Sequence, residues 1–407
     1  TAFSDGTNND IYALSGNFWS KTHEDDTAGS KTRFITFSNY VMKMNGNDTM
    51  FTWSGSGNWI GSGNPLNIDD LTTQGGHTIN IKPKYAEVFK SKVYVTGDST
   101  NPDRLYYSSV ISSAGNIVWT PLTNYVDINP NDGENITGLR RFGTQLLIFK
   151  PNYIYRYFGV EGTDPDPLIS VGTRSHDSIV VAKDGLYFHH DTGFYKYVGG
   201  QPKELSRPIS DFVKAIPASY YTTITGWKDE DHIYWSIGNL TIDGVSFTNI
   251  VCRYTISSEL WTIYSYDKEL RFGTDYNDGV NMHQIIGTND GFVMKFNETT
   301  DDNGQPINYR LITKWYEIEG IENQKIIEHL TCLMEKSIGS VLMYQIDDET
   351  AFKEIGQIKR YLQEFKSKRI VFHRIRFKIT GNSRHEAPIF KGISILKGIN
   401  EGVVSRE

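Results

Sequence analysis

Residues 145–157 read QLLIFKPNYIYRY, which is an apolar strand, a Pro-Asn turn and a second strand in which a basic residue precedes an aromatic one. Residues 184–197 (DGLYFHHDTGFYKY) and 283–296 (HQIIGTNDGFVMKF) repeat this arrangement with other turns. Apolar and aromatic runs separated by turn dipeptides predict antiparallel hairpins. The same unit occurs repeatedly along the chain, and its spacing decides the fold.

Six copies of this strand pair follow one another at a mean interval of about 50 residues. The copies whose second strands cover 41–44 and 105–108 are weaker than the others. Repeats of roughly 40–50 residues that contain only strands are typical of propeller blades. The sequence therefore predicts an all-β protein with a roughly six-bladed β-propeller. The first strands of the six pairs begin near Phe34, Val93, Leu146, Leu186, Ile233 and Gln284.

The chain is expected to contain three parts. Residues 1–30 are polar and rich in Gly, Asn and Asp, and they are expected to form an N-terminal arm or a lead-in strand. Residues 31–305 are expected to form the propeller. A polar linker at 297–306 ends the repeat, and the alternating segments that follow predict a C-terminal antiparallel β-sandwich over residues 306–407.

Charge is divided unevenly between these parts. Residues 1–310 contain 25 Lys and Arg against 35 Asp and Glu, whereas residues 311–407 contain 16 against 13. A domain that reads DNA sequence is normally strongly basic, so this balance argues against one. The chain has no apolar run of about 18 residues, and no membrane span is expected.

The aromatic residues of the repeat are interpreted as packing groups. A strand has a side-chain period of two, so Tyr155 and Tyr157 share one face while Ile154 and Arg156 share the other. Blades cover each other on both faces, and these aromatics are therefore expected between blades, with the base at the rim. A stacking surface for nucleic acid is the alternative interpretation.

No catalytic residue, cofactor site or metal site is predicted. His189, His190 and Asp191 occupy a hairpin turn. Residues 129–134 and 275–279 are each one residue short of the spacing of a calcium loop, and both are interpreted as ordinary turns. Residues 113–119 approach the box of sialidase-like enzymes but lack its Asp.

One stripe in the C-terminal part is a candidate interaction site. Arg374, Arg376 and Lys378 alternate with apolar residues and so lie on one face of a strand. This face is either a solvated outer surface or a docking or phosphate-contacting stripe, because bases in a row attract phosphates without reading sequence.

Two long runs of the chain resemble the tail hub and nozzle proteins of short-tailed bacteriophages, including the packaged-DNA stabilisation proteins. The first covers residues 119–156, with WTPL at 119–122 and DGENITGL at 132–139. The second covers residues 172–212. The closing segments FKITG at 377–381 and FKGISI at 390–395 are similar too. The resemblance spans most of residues 85–400.

The resemblance implies a structural protein of the virion tail, assembled in the host cytoplasm, that has no catalytic activity and no cofactor. Six copies are expected to form a ring beneath the portal and adaptor proteins, next to tail fibres or other tail proteins. The ring would retain the packaged genome and guide its ejection, and double-stranded DNA would pass through it without sequence-specific binding. Acidic residues are expected to line its lumen and repel phosphates. The candidates are Asp164, Asp166, Asp229, Glu230 and Asp231.

Two other functions remain open at this point. One is a carbohydrate- or receptor-binding propeller at the tail tip, in which tryptophans stack on sugars. The other, less favoured, is a propeller glycosidase, which needs two facing carboxylates that no motif identifies. The tryptophans considered for sugar stacking are Trp53, Trp59, Trp227, Trp235 and Trp261.

Overall fold

The computed structural model divides the chain into two compact units, Thr1–Lys295 and Phe296–Glu407. The sequence placed this boundary at 305/306, and most of the predicted linker lies outside the described residues. The residues that the structure describes are 2–4, 8–15, 18–27, 29–61, 80–242, 244–296, 301, 304–317, 320–336, 339–383 and 388–401.

The first unit begins with a three-stranded antiparallel sheet instead of a single lead-in strand. Its strands are β1 (Ala2–Ser4), β2 (Asn8–Ser15) and β3 (Phe18–Thr27). Asp26 of β3 forms a buried ion pair with Lys43 of the following sheet. This pair attaches the N-terminal sheet to the first blade.

Six further sheets follow in chain order, and in each the strands pair antiparallel with their sequence neighbours. The prediction of an all-β propeller is confirmed. The sheets are β4 (Arg33–Phe37), β5 (Tyr40–Met44) and β6 (Phe51–Trp53); β7 (Tyr85–Phe89), β8 (Lys92–Thr96), β9 (Arg104–Tyr107) and β10 (Tyr125–Asp127); β11 (Gly138–Phe142), β12 (Gln145–Phe149), β13 (Ile154–Tyr157) and β14 (Asp166–Ile169); β15 (Val180–Ala182), β16 (Gly185–His190), β17 (Gly193–Tyr197) and β18 (Lys203–Glu204); β19 (Thr225–Lys228), β20 (His232–Ile242), β21 (Val245–Thr255) and β22 (Leu260–Ser265); β23 (Leu270–Asn277), β24 (Met282–Thr288) and β25 (Val293–Lys295).

The first strand of each sheet lies nearest the propeller axis. β4 contacts β7, β7 contacts β11, β15 contacts β19, and β19 contacts β23. Glycines permit this close approach. A Cβ on Gly226 would lie 2.7 Å from Cγ2 of Val180, and one on Gly273 would lie 2.5 Å from Cγ of Trp227. Both distances are shorter than van der Waals contact, so a residue without a side chain is needed where neighbouring blades converge.

The strand pair seen in the sequence is the centre of each four-stranded sheet of the propeller. In five sheets it is the second and third strands, such as β12 and β13, whereas in the first sheet it is β4 and β5. Central strands are paired on both edges and covered on both faces, so they need a continuous apolar sequence. The first strands line the axis and the outer strands are mostly short, and both therefore lack that signal.

The repeated aromatics lie between blades, as the sequence predicted. Tyr155 and Tyr157 pack with Tyr94 of the preceding blade, while Ile154 on the other face packs with Phe188 of the following one. Edge-to-face contacts such as the 6.1 Å pair of Tyr94 and Tyr157 add to the burial of apolar area. The aromatic content of the chain is thus used to join blades.

Helix is scarce among the described residues. The connection from β18 to β19 contains α1 (Ser210–Lys214), which is flanked by short 3-10 turns. Phe212 and Val213 of α1 are buried against the fifth blade. Within the part of the chain that the structure describes, no helix is long and apolar enough to cross a membrane.

The second unit is a sandwich of two antiparallel sheets. Ile375, Phe377 and Ile379 point into its core, which leaves Arg374, Arg376 and Lys378 on the outer face of the first sheet. The first sheet has the order β26-β31-β28-β29 and the second has the order β30-β27-β32. The strands are β26 (Ile307–Ile312), β27 (Gln324–Glu335), β28 (Ser340–Ile346), β29 (Lys353–Ile358), β30 (Leu362–Phe372), β31 (Ile375–Ser383) and β32 (Ile389–Glu401).

Candidate functional site

A cavity of about 560 Å³ lies on the propeller axis, between the first strands of five sheets. Its charged lining residues are Glu87, Arg140, Arg141, Lys228 and Asp275. Glu87 accepts a hydrogen bond from the backbone N–H of Arg141 (3.3 Å) and lies 3.7 Å from a guanidinium nitrogen of Arg140. Acids and bases are therefore mixed in this cavity, and no single charge dominates it.

The opposite end of the axis is crossed by an ion pair. Arg33, at the start of β4, donates two hydrogen bonds to the carboxylate of Asp177, with Nε at 3.1 Å and Nη2 at 2.6 Å. Lys31 adds a contact of 3.0 Å to Asp177 and donates to the hydroxyl of Thr225 (3.2 Å). Because the first, fourth and fifth sheets supply these groups, the pair fastens sheets that are not neighbours in the chain.

The ion pair changes the titration of its members. Burial raises the pKa of Asp177, but the charges of Lys31 and Arg33 outweigh it, so the pKa of this carboxyl lies well below its usual value. Burial lowers the pKa of the neighbouring His176 well below its usual value. Its Nδ1 accepts a hydrogen bond from the backbone N–H of Leu139 (3.2 Å). The axis thus holds a neutral imidazole beside an ionised carboxylate, which is a structural arrangement.

The loop that resembles a calcium site, residues 129–134, contains a cation of the chain itself. The ammonium of Lys150 is buried and donates to the carbonyl of Asn129 (3.2 Å) and to carboxylates of Asp103 (3.0 Å) and Asp132 (2.8 and 2.9 Å). Burial opposes ionisation of Asp132, but the hydrogen bond from Lys150 lowers its pKa. This loop therefore binds a lysine where a metal loop binds its ion.

The two histidines predicted to lie in a hairpin turn are the last residues of β16, so only Asp191 of the three is in the turn. His189 is buried, with its ring 5.1 Å from Phe194 and 5.3 Å from Tyr221, and burial lowers its pKa to about 3. The carboxylate of Asp191 accepts a hydrogen bond from Nε of Arg174 (2.9 Å). Among the described residues no group of three or more His, Cys, Asp or Glu side chains could hold a metal ion.

The five acids predicted for a ring lumen share one face of the propeller. We call this the first-turn face, because it is formed by the turns that follow the first and third strands of each sheet. Asp229, Glu230 and Asp231 form the turn between β19 and β20, while Asp164 precedes β14 and Asp166 begins it. None of the five lines the axial cavity described above. Their place relative to a ring lumen stays a prediction.

Two of these acids hold their own turn together. Asp229 accepts hydrogen bonds from the hydroxyl of Tyr234 (2.8 Å) and the backbone N–H of Asp231 (3.0 Å). Asp231 accepts a hydrogen bond from the backbone N–H of Ser257 (3.0 Å). Glu230, by contrast, is exposed. Only part of the predicted acidic set is therefore available for contact with another molecule.

The predicted basic stripe lies among aromatic rings, with Arg376 and Lys378 on β31 and Arg374 directly before it. The guanidinium carbons of Arg374 and Arg376 are 4.7 and 4.6 Å from the ring centre of Trp315. Arg376 and Lys378 also lie 5.3 and 5.2 Å from the ring of Phe352. Cations stacked on aromatic faces keep a fixed direction while their hydrogen-bond donors stay accessible. We call these five residues the cationic face of the sandwich.

The tryptophans considered for sugar stacking are mainly core residues. Trp227 and Trp235 are buried, and Nε1 of Trp235 donates to the carbonyl of Ser178 (3.0 Å). Trp59 is buried as well and stacks on Trp53 at 5.7 Å. Buried rings cannot receive a sugar, so the interpretation of Trp59, Trp227 and Trp235 as binding platforms was wrong.

The sandwich contains a smaller cavity of about 280 Å³. It lies between the segment that follows β26 and the strands β31 and β32, and Ile375, Phe377 and Ile393 are among its mostly apolar lining residues. Among the described residues, no Asp, Glu, His, Cys, Lys or Arg side chain lines it, so it offers neither a carboxylate pair nor a metal site.

Sequence reasoning missed the ion pairs inside the propeller. Arg33 and Asp177 are 144 positions apart, and no local pattern joins them. The cluster around Lys150 left a weak signal, because a lysine directly follows the apolar run 146–149 and a loop rich in acceptors lies nearby in sequence.

No protein-family model and no curated protein matches the chain. Among solved structures, the chain is similar to BamB from Moraxella catarrhalis, with 12% identity and a TM-score of 0.41 over 72% of this chain and 81% of that one. It is also similar to YCF48 from Cyanidioschyzon merolae, with 11% identity and a TM-score of 0.42 over 72% of this chain and 93% of that one. Both are β-propeller proteins. The likeness concerns the propeller fold and no activity of these proteins.

Proposed function

We propose that this chain is a structural subunit of a bacteriophage tail, a hub or nozzle protein whose copies form a ring around the DNA channel. The ring retains the packaged genome and guides its ejection, and the chain itself catalyses no reaction. The sequence resemblance supports this proposal. Its two long runs contain β11, β12 and most of β13 of the third blade and all four strands of the fourth, and its closing segments fall on β31 and β32.

The observation that carries the proposal is the different use of charge in the two units. In the propeller, Arg33, Lys43 and Lys150 are committed to internal carboxylates. The sandwich instead presents Arg376 and Lys378 outward, and among the described residues neither has a carboxylate partner. A rigid acidic body joined to a cationic surface suits a closed ring of identical subunits, in which each copy contacts the next through two different surfaces.

The proposed partners follow from this role. The ring of six copies binds portal and adaptor proteins on one side and tail fibres or other tail proteins on the other. Double-stranded DNA passes through a channel formed between the copies. The ion pair between Arg33 and Asp177 crosses the axis of a single propeller, so that axis is not the conduit in this proposal.

The test is an image of the virion that contains this chain, with the full chain labelled by a fused epitope tag. We expect six labels arranged around the tail axis below the portal. A purified chain that stays monomeric, is absent from virions and binds glycans on an array would replace the proposal with the carbohydrate-binding alternative.

A further inference from the structure

We propose that the cationic face of the sandwich is the surface through which one copy of this chain binds the acidic first-turn face of the propeller of a second copy. This inference rests on the proposed function, because it assigns the contact that builds the ring. It concerns two surfaces of known composition, and each can be altered without touching the core of either unit.

The cationic face is pre-organised for binding. Nε of Arg376 donates to the side-chain carbonyl of Gln345 (2.7 Å), and its guanidinium lies between the rings of Trp315 and Phe352. A side chain held in this way loses little conformational freedom when a partner arrives. Arginine and tryptophan in a well-packed cluster are also the residues that dominate the binding energy of protein interfaces.

The composition of this face favours a protein partner over nucleic acid. Nonspecific DNA-binding surfaces gain their affinity from many cations that reach phosphates. Here Arg374 is already paired with Asp348 at 2.9 Å, and Ile312, which lies beside Lys378 on β26, is 41% exposed. Apolar surface next to two arginines and a tryptophan matches the centre of a protein interface.

The first-turn face provides the complementary charge. Among the described residues, the turns that join strands within a sheet on this face contain eight acidic residues and two lysines. Among the described residues, Asp164, Glu230 and Glu259 have no ion-pair partner, and Glu230 and Glu259 are exposed. Carboxylates that are not neutralised within their own copy are free to receive guanidinium groups of another copy.

A contact between these two faces limits the symmetry that an assembly of copies can have. The two surfaces differ, so a contact between them is heterologous and repeats from copy to copy until the ring closes. Each copy then uses its sandwich for one neighbour and its propeller for the other.

The experiment measures the association of the full chain by sedimentation velocity over a range of concentrations and salt. In the triple variant Arg374→Glu, Arg376→Glu, Lys378→Glu we expect association to weaken about tenfold or more. Combining it with Asp164→Lys, Glu230→Lys, Glu259→Lys should restore association, because the charges of both surfaces are then exchanged. A matched control, Lys203→Glu, Arg207→Glu, Lys214→Glu, changes three exposed residues outside both surfaces, alters net charge equally and should leave association unaltered.

Folding is checked by thermal melting, and the milder pair Arg376→Gln, Lys378→Gln replaces the triple variant if that variant melts early. Unchanged association in a folded charge-reversed variant overturns the inference while leaving the ring intact. Loss of duplex DNA binding, measured by anisotropy with a labelled DNA duplex, together with unchanged association also overturns it and assigns the face to nucleic acid. A chain that is monomeric in solution and absent from virions contradicts the proposed function instead.

Discussion

The propeller and the sandwich treat their cations in opposite ways. In the propeller, Lys43 and Lys150 are almost completely buried and are paired with carboxylates from other segments of the chain. In the sandwich, Arg376 and Lys378 stand on the outside of a sheet against aromatic rings. A buried cation cannot be removed without leaving buried acids unpaired, whereas an exposed one can. The comparison teaches that charge in the first unit stabilises the fold and charge in the second is available for partners.

Removal of the Lys150 ammonium should have the largest effect. In Lys150→Met the carboxylates of Asp103 and Asp132 remain without their cation, and we expect the free energy of unfolding to fall by about 3 kcal/mol. Urea denaturation followed by tryptophan fluorescence measures it. The matched control is Lys183→Met, which alters an exposed lysine and should change the free energy by less than about 0.5 kcal/mol. Equal losses in both variants would contradict the division drawn above.

Opening the axial ion pair should cost less, because Lys31 remains beside Asp177. For Arg33→Met we expect a loss of about 2 kcal/mol in the free energy of unfolding at neutral pH. The folded-state pKa of Asp177 is lowered, so its contribution is present above the carboxyl's ordinary pKa and disappears as the pH falls through the lower one. Denaturation of the variant and of Asp177→Asn between pH 7 and pH 3 checks this. If the variant loses the same free energy of unfolding at every pH, the charge of Asp177 does not contribute to the stability of the fold.

His189 should make the propeller sensitive to acid. Its pKa is about 3 in the folded chain against an ordinary value near 6.5, so below pH 6.5 the unfolded state binds a proton that the folded state does not. As the pH is lowered from about 6.5 to 3, the contribution of His189 therefore decreases the free energy of unfolding by about 1.4 kcal/mol per pH unit. In His189→Phe, unfolding should take up one proton fewer between these pH values, so the free energy of unfolding should depend less steeply on pH. Denaturation at each pH measures this slope. The same slope in both proteins would mean that other histidines account for the acid response.

The smallest effect on stability is expected on the cationic face. In Lys378→Gln the ammonium over Phe352 is lost, and the free energy of unfolding should change by less than about 0.5 kcal/mol. Thermal melting of the full chain is sufficient to measure it. A large destabilisation would show that Lys378, like Lys150, stabilises the fold, and would contradict the contrast between the cations of the two units.

The sequence predicted much of the fold because central strands carry the strongest pattern. The pairs such as β12 with β13 and β16 with β17 were found, whereas innermost strands such as β11 and outer strands such as β14 were not. A strand that lines an axis mixes glycine with charged residues, and a short edge strand has too few residues to show alternation. The N-terminal sheet was also missed, since its polar sequence lacks the apolar runs of the blades.

The candidate surfaces were predicted less completely. The period of two placed Arg374, Arg376 and Lys378 on one face, and the sandwich has that arrangement. The contribution of Trp315 and Phe352 to this face was not predicted, because Trp315 lies beyond the end of β26 and Phe352 precedes β29. Side chains from three segments meet there only after the sheet has formed.

By itself the sequence determined that the chain is built from repeated strand pairs and ends in a different all-β unit. It did so because hydrophobic periodicity and turn dipeptides act over a few residues and are visible in any segment. The tertiary structure alone decided which charges are internal and which are exposed. Arg33 meets Asp177, and Lys150 meets Asp103, through the folding of distant segments onto one another. The free energy of a charge depends on its distance to other charges and on its burial, and neither is written in the order of the residues.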